Sequence, residues 1–265
     1  MLIMTKVVYE DRTVGNSSIV YEKSRGITDN SMFYCPGCSH GIIHKLIAES
    51  LVELEVLEKS ILITPVGCSV LAYNYLNVDG IQAAHGRAIA VATGVKRCEP
   101  DKIVFTYQGD GDLAAIGTGE TIHGAHRGEN ITVIFVNNAI YGMTGGQMAP
   151  TTLVGQRTST SPFGRKVDGQ GKPLLVSEMM AQIPSATYIE RVSVHDISHI
   201  LKAKKGIKKA FEYQIQGRGF SMIEVLATCP IGWGLSPVDA MKFVKEEMIP
   251  YYSLGVFKDV GGNKE

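Results

Sequence analysis

The chain has 265 residues, 45% of them hydrophobic, enough to bury a sizeable core in one large or two small domains. That composition excludes a disordered chain and a collagen-like repeat. Lys plus Arg number 26 and Asp plus Glu number 26, so the formal charge is zero and no basic excess points to nucleic acid or an anionic membrane.

The start, MLIMTKVVYEDR, has only a four-residue apolar run before charges begin and lacks the apolar core and cleavage site of a secretory signal. No stretch approaches the roughly 20 consecutive apolar residues of a membrane span. The sequence therefore predicts a cytoplasmic protein with no membrane association. Residues 1–31 are polar and weakly periodic and are expected to form an N-terminal arm that could clasp another subunit. Residues 32–265 are expected to form a single domain.

Within that domain, apolar residues recur at helical spacing from Ser39 to Glu58, and a short buried strand is expected at Ile61 to Pro65. A second helical pattern runs from Ala88 to Arg97, followed by the strand IVFTYQ at 103–108 and a helix from Leu113 to His126. Strands are predicted at 131–136, 187–192 and 220–226, the last two separated by a helix around 197–216. Continuously apolar strands alternating with helices imply an α/β fold, a mostly parallel sheet covered on both faces. The stretch from Gly142 to about Ser177 is aperiodic and rich in Gly, Thr, Ser and Pro, which reads as a ligand-covering loop.

The strongest local signal is QGDGDLAAIGTGE, Gln108 to Glu120, where a strand turns into a helix. Gly109 and Gly111 permit close backbone approach, and the helix N-terminus favours an anion. Asp110 and Asp112 would repel a phosphate unless a hard cation stood between, so the arrangement argues for Mg²⁺. The next strand ends in Asn137-Asn138-Ala139-Ile140, and a right-handed crossover would bring it beside Asp110.

Gly109-Asp110-Gly111 followed 28 residues after Asp110 by the second Asn of an Asn-Asn pair resembles the thiamine diphosphate motif. The resemblance implies that Asp110 and Asn138 give side-chain oxygens, and Ile140 a backbone carbonyl, to Mg²⁺. No Gly-Lys-Ser or Gly-Lys-Thr closes a nucleotide loop, and a Rossmann fingerprint is absent.

Five cysteines without an export signal argue for reduced thiols or metal ligands. Cys35 and Cys38 form a Cys-x-x-Cys turn, Cys68 lies in Gly67-Cys68-Ser69, and Cys229 precedes Pro230. Four thiolates suit either zinc or a [4Fe–4S] cluster, and spacing alone does not separate them. His40 and His44 are expected on a helix face rather than around zinc, and Cys98 is expected to be a small buried hydrophobe.

The whole set, Cys-Pro-Gly-Cys, Gly-Cys-Ser, His-Gly-Arg and a late Cys-Pro, resembles the thiamine diphosphate-binding β subunit of the 2-oxoacid:ferredoxin oxidoreductases, from about Cys35 to Trp233. That family has a thiamine diphosphate-binding fold and makes acyl-CoA and CO₂ from a 2-oxoacid and coenzyme A, passing electrons to ferredoxin. The resemblance implies a cluster on Cys35, Cys38, Cys68 and Cys229, and cofactor contacts from Gly67, Cys68, Ser69, His85, Gly86, Arg87, Gly109, Asp110, Gly111, Asp112, Gly142 and Met143. It also implies a separate alpha subunit that carries the pyrimidine-binding domain, and it allows for gamma and delta subunits. His85 is the candidate general acid or base, and Met143 the candidate substrate wall.

No Lys or Arg lies between Asn137 and Thr152 to pair a second carboxylate, which favours a branched-chain 2-oxoacid over 2-oxoglutarate, although Arg157, Arg165 or a partner could supply the charge. The lysines at 202, 204, 205, 208 and 209 read as a solvated helix face. Two other readings stay open: a non-oxidative thiamine diphosphate decarboxylase or synthase subunit, and a zinc-stabilised binding module.

Overall fold

A computed structural model describes residues 21–260 together with the paired strands β1 (Thr13–Val14) and β2 (Ser17–Ser18). The expected arm at 1–31 lies largely outside the described residues. Its described end, 21–31, runs beside the turn Cys68–Asn74, where Thr28 Oγ1 and Asn30 Nδ2 each donate to Asn74 O at 2.7 Å.

The remaining elements follow in chain order as α1 (His40–Glu53), β3 (Ser60–Thr64), β4 (Asp79–Gln82), α2 (Ala88–Cys98), β5 (Ile103–Gly109), α3 (Thr118–His126) and β6 (Thr132–Asn137). After these come the single turn α4 (Val167–Gln170), α5 (Val176–Ala181), β7 (Ala186–Ser193), α6 (Ile197–Ile215) and β8 (Phe220–Leu226). The short helices α7 (Pro230–Trp233), α8 (Pro237–Phe243) and α9 (Ile249–Tyr251) lead to β9 (Gly255–Asp259). Among the described residues seven strands form one sheet in the order β4-β3-β5-β6-β8-β7-β9. Every pairing is parallel except that of the edge strand β9.

Strand side chains alternate between two cores, as the two-residue period requires. Phe105, Tyr107, Ile134 and Ile223 pack with Ile43, Ile47 and Leu51 of α1 and Ile207 and Phe211 of α6. Val104, Val133, Phe135 and Met222 pack on the other face with Ile89 and Ala92 of α2, Ala125 of α3 and Met180 of α5. Each fully buried Ile or Leu here contributes about 1.5–3 kcal/mol, so the two covered faces supply most of the driving force. This is the expected α/β architecture, with helices on both sides.

Two expectations need correction. Cys98, the last residue of α2, is exposed, so it is no buried hydrophobe. The helix expected over Leu113–His126 is not uniform: helical turns begin at Asp110, Asp112–Ile116 form a wide π-helical turn closed by Gly117 N donating to Asp112 O at 2.8 Å, and α3 follows. The segment 142–177, expected to cover a ligand, also enters the interior, where Ala149, Thr151 and Thr152 are buried. Buried Arg165 organises this segment by donating to six backbone carbonyls, those of Ala149, Pro150, Thr152, Gln170, Gly171 and Lys172. One guanidinium thereby satisfies acceptors that an irregular buried backbone would otherwise orphan.

The lysine run on α6 is partly absorbed by the fold. Lys204 and Lys208 pair with Glu49 and Glu53 of α1, and Lys209 with Asp259 of β9, leaving Lys202 and Lys205 exposed. No described helix is long and apolar enough to cross a membrane.

Candidate functional site

The carboxyl ends of β5 and β6 are hydrogen-bonded neighbours, with Gly109 paired to Val136. A cleft of about 220 Å³ opens there, lined by Gly67, Cys68, Ser69, His85, Gly109, Asp110, Gly111, Asp112, Asn138, Ile140, Gly142 and Met143 among others. Open parallel sheets bind ligands at this edge because strand ends and helix starts converge there.

Asp110 is buried, and its carboxylate is held by three donors. Oδ1 accepts from Gly111 N at 2.8 Å, while Oδ2 accepts from Ile140 N at 3.1 Å and Thr151 Oγ1 at 2.9 Å. Burial raises its pKa to about 7, and these hydrogen bonds offset only part of that. The side-chain oxygen of Asn138 accepts one long contact from Ile140 N at 3.4 Å and otherwise faces two oxygens, lying 2.7 Å from Ile140 O and 3.2 Å from Asp110 Oδ2. Turning the amide would convert both oxygen contacts into hydrogen bonds. With the oxygen inward, however, the spacings match neighbouring ligands of an octahedral ion bound at 2.0–2.1 Å, about 2.9 Å apart. Three converging oxygens, one of them from a carboxylate, fit a hard divalent cation, with Asp110, Asn138 and Ile140 as donors.

Asp112 does not join that set. Its Oδ1 accepts from Gly86 N at 2.5 Å and lies 2.6 Å from His85 Nδ1, and its Oδ2 accepts from Gln108 Nε2 at 2.6 Å. The network favours the tautomer in which His85 Nδ1–H donates to Asp112, leaving Nε2 free at the cleft. Of the two carboxylates in the motif, one therefore faces the oxygen pocket and the other fixes an imidazole. Gly86 has φ of 75°, and a Cβ there would approach Ile116 Cγ2 to 2.7 Å, so only glycine fits this turn. Arg87 is not among the cleft residues, because its guanidinium pairs with Glu120 at 2.7 Å.

The structure gathers Cys35, Cys38, Cys68 and Cys229 beside the cleft. Burial pushes Cys38 up to about 11 and Cys229 up to about 12, and raises Cys68 as well. The neighbouring thiols reinforce this: Cys35 and Cys68 act on Cys38, and Cys38 and Cys68 act on Cys229. Such thiols become thiolates when a metal takes the place of the proton. Among the described residues no three of them lie within 4.8 Å of one another. A single tetrahedral zinc ion at 2.3 Å would hold its sulfurs about 3.8 Å apart. Four thiols grouped beside a cleft can hold a zinc ion or an iron–sulfur cluster. His40 and His44 turn into the core of α1 rather than toward the thiols: His40 bonds Tyr107 Oη at 2.5 Å and stacks on Tyr34, and His44 packs edge-on to Tyr107.

The cation pocket and the thiols touch through Gly142. A Cβ at Gly142 would lie 3.1 Å from Cys229 Sγ, 3.7 Å from Cys68 Sγ and 3.9 Å from Asn138 Nδ2. Ser69 lines the cleft with a buried hydroxyl that has no partner among the described residues, and Met143 is a half-exposed wall. Two contributors escaped the sequence reading. Thr151 lies 41 residues from Asp110 in an aperiodic segment, and Trp233, whose Nε1 donates to Asn138 O at 3.1 Å, comes from a short helix beyond the last predicted strand.

Comparison with known proteins gives this geometry a family. Residues 65–225 match the thiamine pyrophosphate enzyme C-terminal TPP binding domain. The ketoisovalerate oxidoreductase subunit VorA of Methanothermobacter thermautotrophicus is 47% identical over 246 residues, 93% of this chain and 52% of that protein. The 2-oxoglutarate synthase subunit KorB of Methanocaldococcus jannaschii is 40% identical over 223 residues, 82% of this chain and 78% of that protein. The chain thus spans about half the length of the VorA relatives it matches. A solved 2-oxoglutarate:ferredoxin oxidoreductase from Magnetococcus marinus, with 2-oxoglutarate, coenzyme A and succinyl-CoA bound, shares the fold. Its TM-score is 0.76 at 24% identity, covering 92% of this chain and 87% of that one. By domain and by relatives, the chain belongs to the thiamine pyrophosphate-binding beta subunits of the 2-oxoacid:ferredoxin oxidoreductases.

Proposed function

We propose that this chain binds thiamine diphosphate, Mg²⁺ and a [4Fe–4S] cluster within an oxidoreductase that converts a 2-oxoacid and coenzyme A into acyl-CoA and CO₂ and passes electrons to ferredoxin. The observation that carries this reading is the contact at Gly142 between a three-oxygen cation pocket and four gathered cysteines. Thiamine diphosphate supplies the carbon chemistry of decarboxylation when bound. The chain's own residues bind and orient. Asp110, Asn138 and Ile140 hold the cation that offsets the diphosphate charge, Gly67 and Gly109 leave room for the phosphates, and Gly111 admits the Tyr141 ring beside them. Ser69 offers an unspent hydroxyl, and His85, fixed through Nδ1 by Asp112, presents Nε2 to hold or move a proton. Cys35, Cys38, Cys68 and Cys229 hold the electron acceptor close to the cleft.

The substrate reading favours a branched-chain 2-oxoacid, with 2-oxoglutarate next. No Lys or Arg lines the cleft. Arg165 is spent on six carbonyls, Arg87 on Glu120, and Arg157 lies exposed away from the lining. An apolar wall of Ile116 and Met143 suits an isopropyl group better than a second carboxylate. Activity requires an alpha subunit that carries the pyrimidine-binding domain.

The test is anaerobic copurification with that subunit, followed by iron, sulfide and zinc analysis, low-temperature EPR and coenzyme A-dependent dye reduction. The expected result is a reduced [4Fe–4S] signal that Cys68→Ala removes, with faster turnover of 2-oxoisovalerate than of 2-oxoglutarate. Zinc without iron, or aldehyde as product, would overturn the oxidative reading, and turnover by the solitary chain would overturn the need for a partner. Gly142→Ala should weaken both halves of the site together. One methyl crowded 3.1 Å from Cys229 Sγ, and in ordinary contact with Cys68 Sγ and the Asn138 amide, is expected to lower iron content and to weaken Mg²⁺-dependent cofactor binding by about tenfold. Loss of only one of the two in calorimetry and iron assay would show that they are not joined at this residue.

A further inference from the structure

Beyond the cleft, two imidazoles and a carboxylate meet where β7 passes into α6. His195, Asp196 and His199 each present a ligand atom, all within 4.8 Å of one another. Asp196 is the N-cap of α6, and one of its oxygens does that work: Oδ1 accepts from His199 N at 2.8 Å and from Ser198 Oγ at 2.9 Å. Capping does not explain the rest of the arrangement. Oδ2 faces His195 Nε2 at 3.2 Å, His199 Nδ1 lies 2.8 Å from Oδ1, and the two imidazole centroids are 4.3 Å apart.

We propose that His195, Asp196 and His199 form a second metal site, selective for a first-row divalent transition cation such as Zn²⁺ and separate from the cation pocket at Asp110. The donor chemistry fits: two imidazoles and one carboxylate make a three-ligand set that leaves a position for water. Nitrogen and oxygen ligands at 2.0–2.1 Å from a tetrahedral ion lie about 3.3 Å apart, which the 3.2 Å between His195 Nε2 and Asp196 Oδ2 matches, while the 2.8 Å hydrogen bond from His199 Nδ1 to Oδ1 would lengthen by about half an ångström on binding. A supporting group is in place as well. Ser193 Oγ lies 2.8 Å from His195 Nδ1, which fixes the ring and leaves Nε2 to the metal. Ser193 ends β7, so the trio sits at the carboxyl edge of the sheet yet shares no residue with the cleft. A bound ion would tie the end of β7 to the first turn of α6.

Co²⁺ titrated into the anaerobically purified protein tests this, because thiolate ligation at the cysteines would announce itself by sulfur-to-cobalt charge transfer. One equivalent of cobalt is expected to give visible d–d bands without that charge transfer, and Zn²⁺ should displace it. His195→Ala and His199→Ala should each raise the dissociation constant at least about tenfold. Asp196→Asn, which keeps the cap, should weaken binding while α6 stays intact by circular dichroism. Should either alanine variant fold poorly, His195→Gln and His199→Gln, with neutral polar side chains of similar reach, serve in its place. A thiolate-free spectrum indifferent to both histidines, or none at millimolar cobalt, would overturn the site and leave Asp196 as a helix cap only. Neither result touches the reading of the cleft.

Discussion

Asp110→Asn is expected to abolish Mg²⁺-dependent binding of thiamine diphosphate, weakening it by at least about 100-fold, since even residues that only support a metal's ligands are worth 10–100-fold. The amide keeps the size and most of the hydrogen bonds of the carboxylate but removes the one full negative charge in the oxygen set. The same substitution separates binding from stability. Asp110 has its pKa raised to about 7 by burial, well above its ordinary 3.8. A group raised in the folded state stabilises fully below its unfolded value and loses that contribution as pH climbs through the folded one. The cation-free chain should therefore lose on the order of 4 kcal/mol from this residue between about pH 4 and pH 8. Mg²⁺ should restore much of it at pH 8 by favouring the ionised form, and Asp110→Asn should lack this loss while keeping the pH dependence of the other buried groups, such as His40 and His44, whose pKa values burial lowers. Urea unfolding at several pH values, with and without Mg²⁺, measures both. A wild-type profile parallel to that of the variant would mean that the carboxylate is already compensated in the empty site.

What could be read from the sequence follows from how each feature is held. β3, β5, β6, β7 and β8 are buried on both faces and read as apolar runs, and α1, α2 and α6 carry the 3.6-residue period. β4 left no such mark, because Asp79, Gly80, Ile81 and Gln82 are all exposed on the sheet edge and owe their strand to pairing with β3. β9 was equally silent, being a mostly exposed antiparallel edge. In the site, the Gly-Asp-Gly and Asn-Asn motifs lie on adjacent strand ends, so local sequence was enough to place Asp110 and Asn138 together. It was not enough to tell Asp110 from Asp112, whose roles diverge only because His85 and Gly86 arrive from a turn 26 residues upstream. Thr151 and Arg165 work through side-chain contacts inside an aperiodic segment, and such contacts have no period to betray them.

The largest effect on stability is expected from Glu224→Ala, about 3 kcal/mol, since it removes the buried one of the two carboxylates that pair a fully buried cation and leaves only the part-exposed Glu178. Arg191 and Glu224 have completely buried side chains, with Arg191 Nε 2.9 Å from Glu224 Oε2. Burial alone would lower the pKa of the guanidinium, but Glu224 and Glu178 more than offset it and the charge persists. Tyr252 and Phe257 add ring faces at 5.2 and 4.9 Å, which cannot replace a lost carboxylate. Replacing both members, as Arg191→Met with Glu224→Leu, should recover much of the loss, because the cost lies in a buried charge that Glu178 alone compensates incompletely rather than in the missing pair. The second consequence reaches the cleft. Glu224 Oε1 accepts from Asn137 Nδ2 at 2.8 Å, and Asn137 Oδ1 in turn accepts from Ala139 N at 3.1 Å, within the turn that aims Asn138 and the Ile140 carbonyl. Ala139 holds a φ of 57°, so this turn is strained for a non-glycine residue and needs that anchorage. The double variant should thus fold with near-normal stability yet bind Mg²⁺ and thiamine diphosphate about tenfold more weakly. Chemical denaturation and calorimetry on the same preparations separate the two, and normal cofactor affinity in the double variant would confine Glu224 to the core.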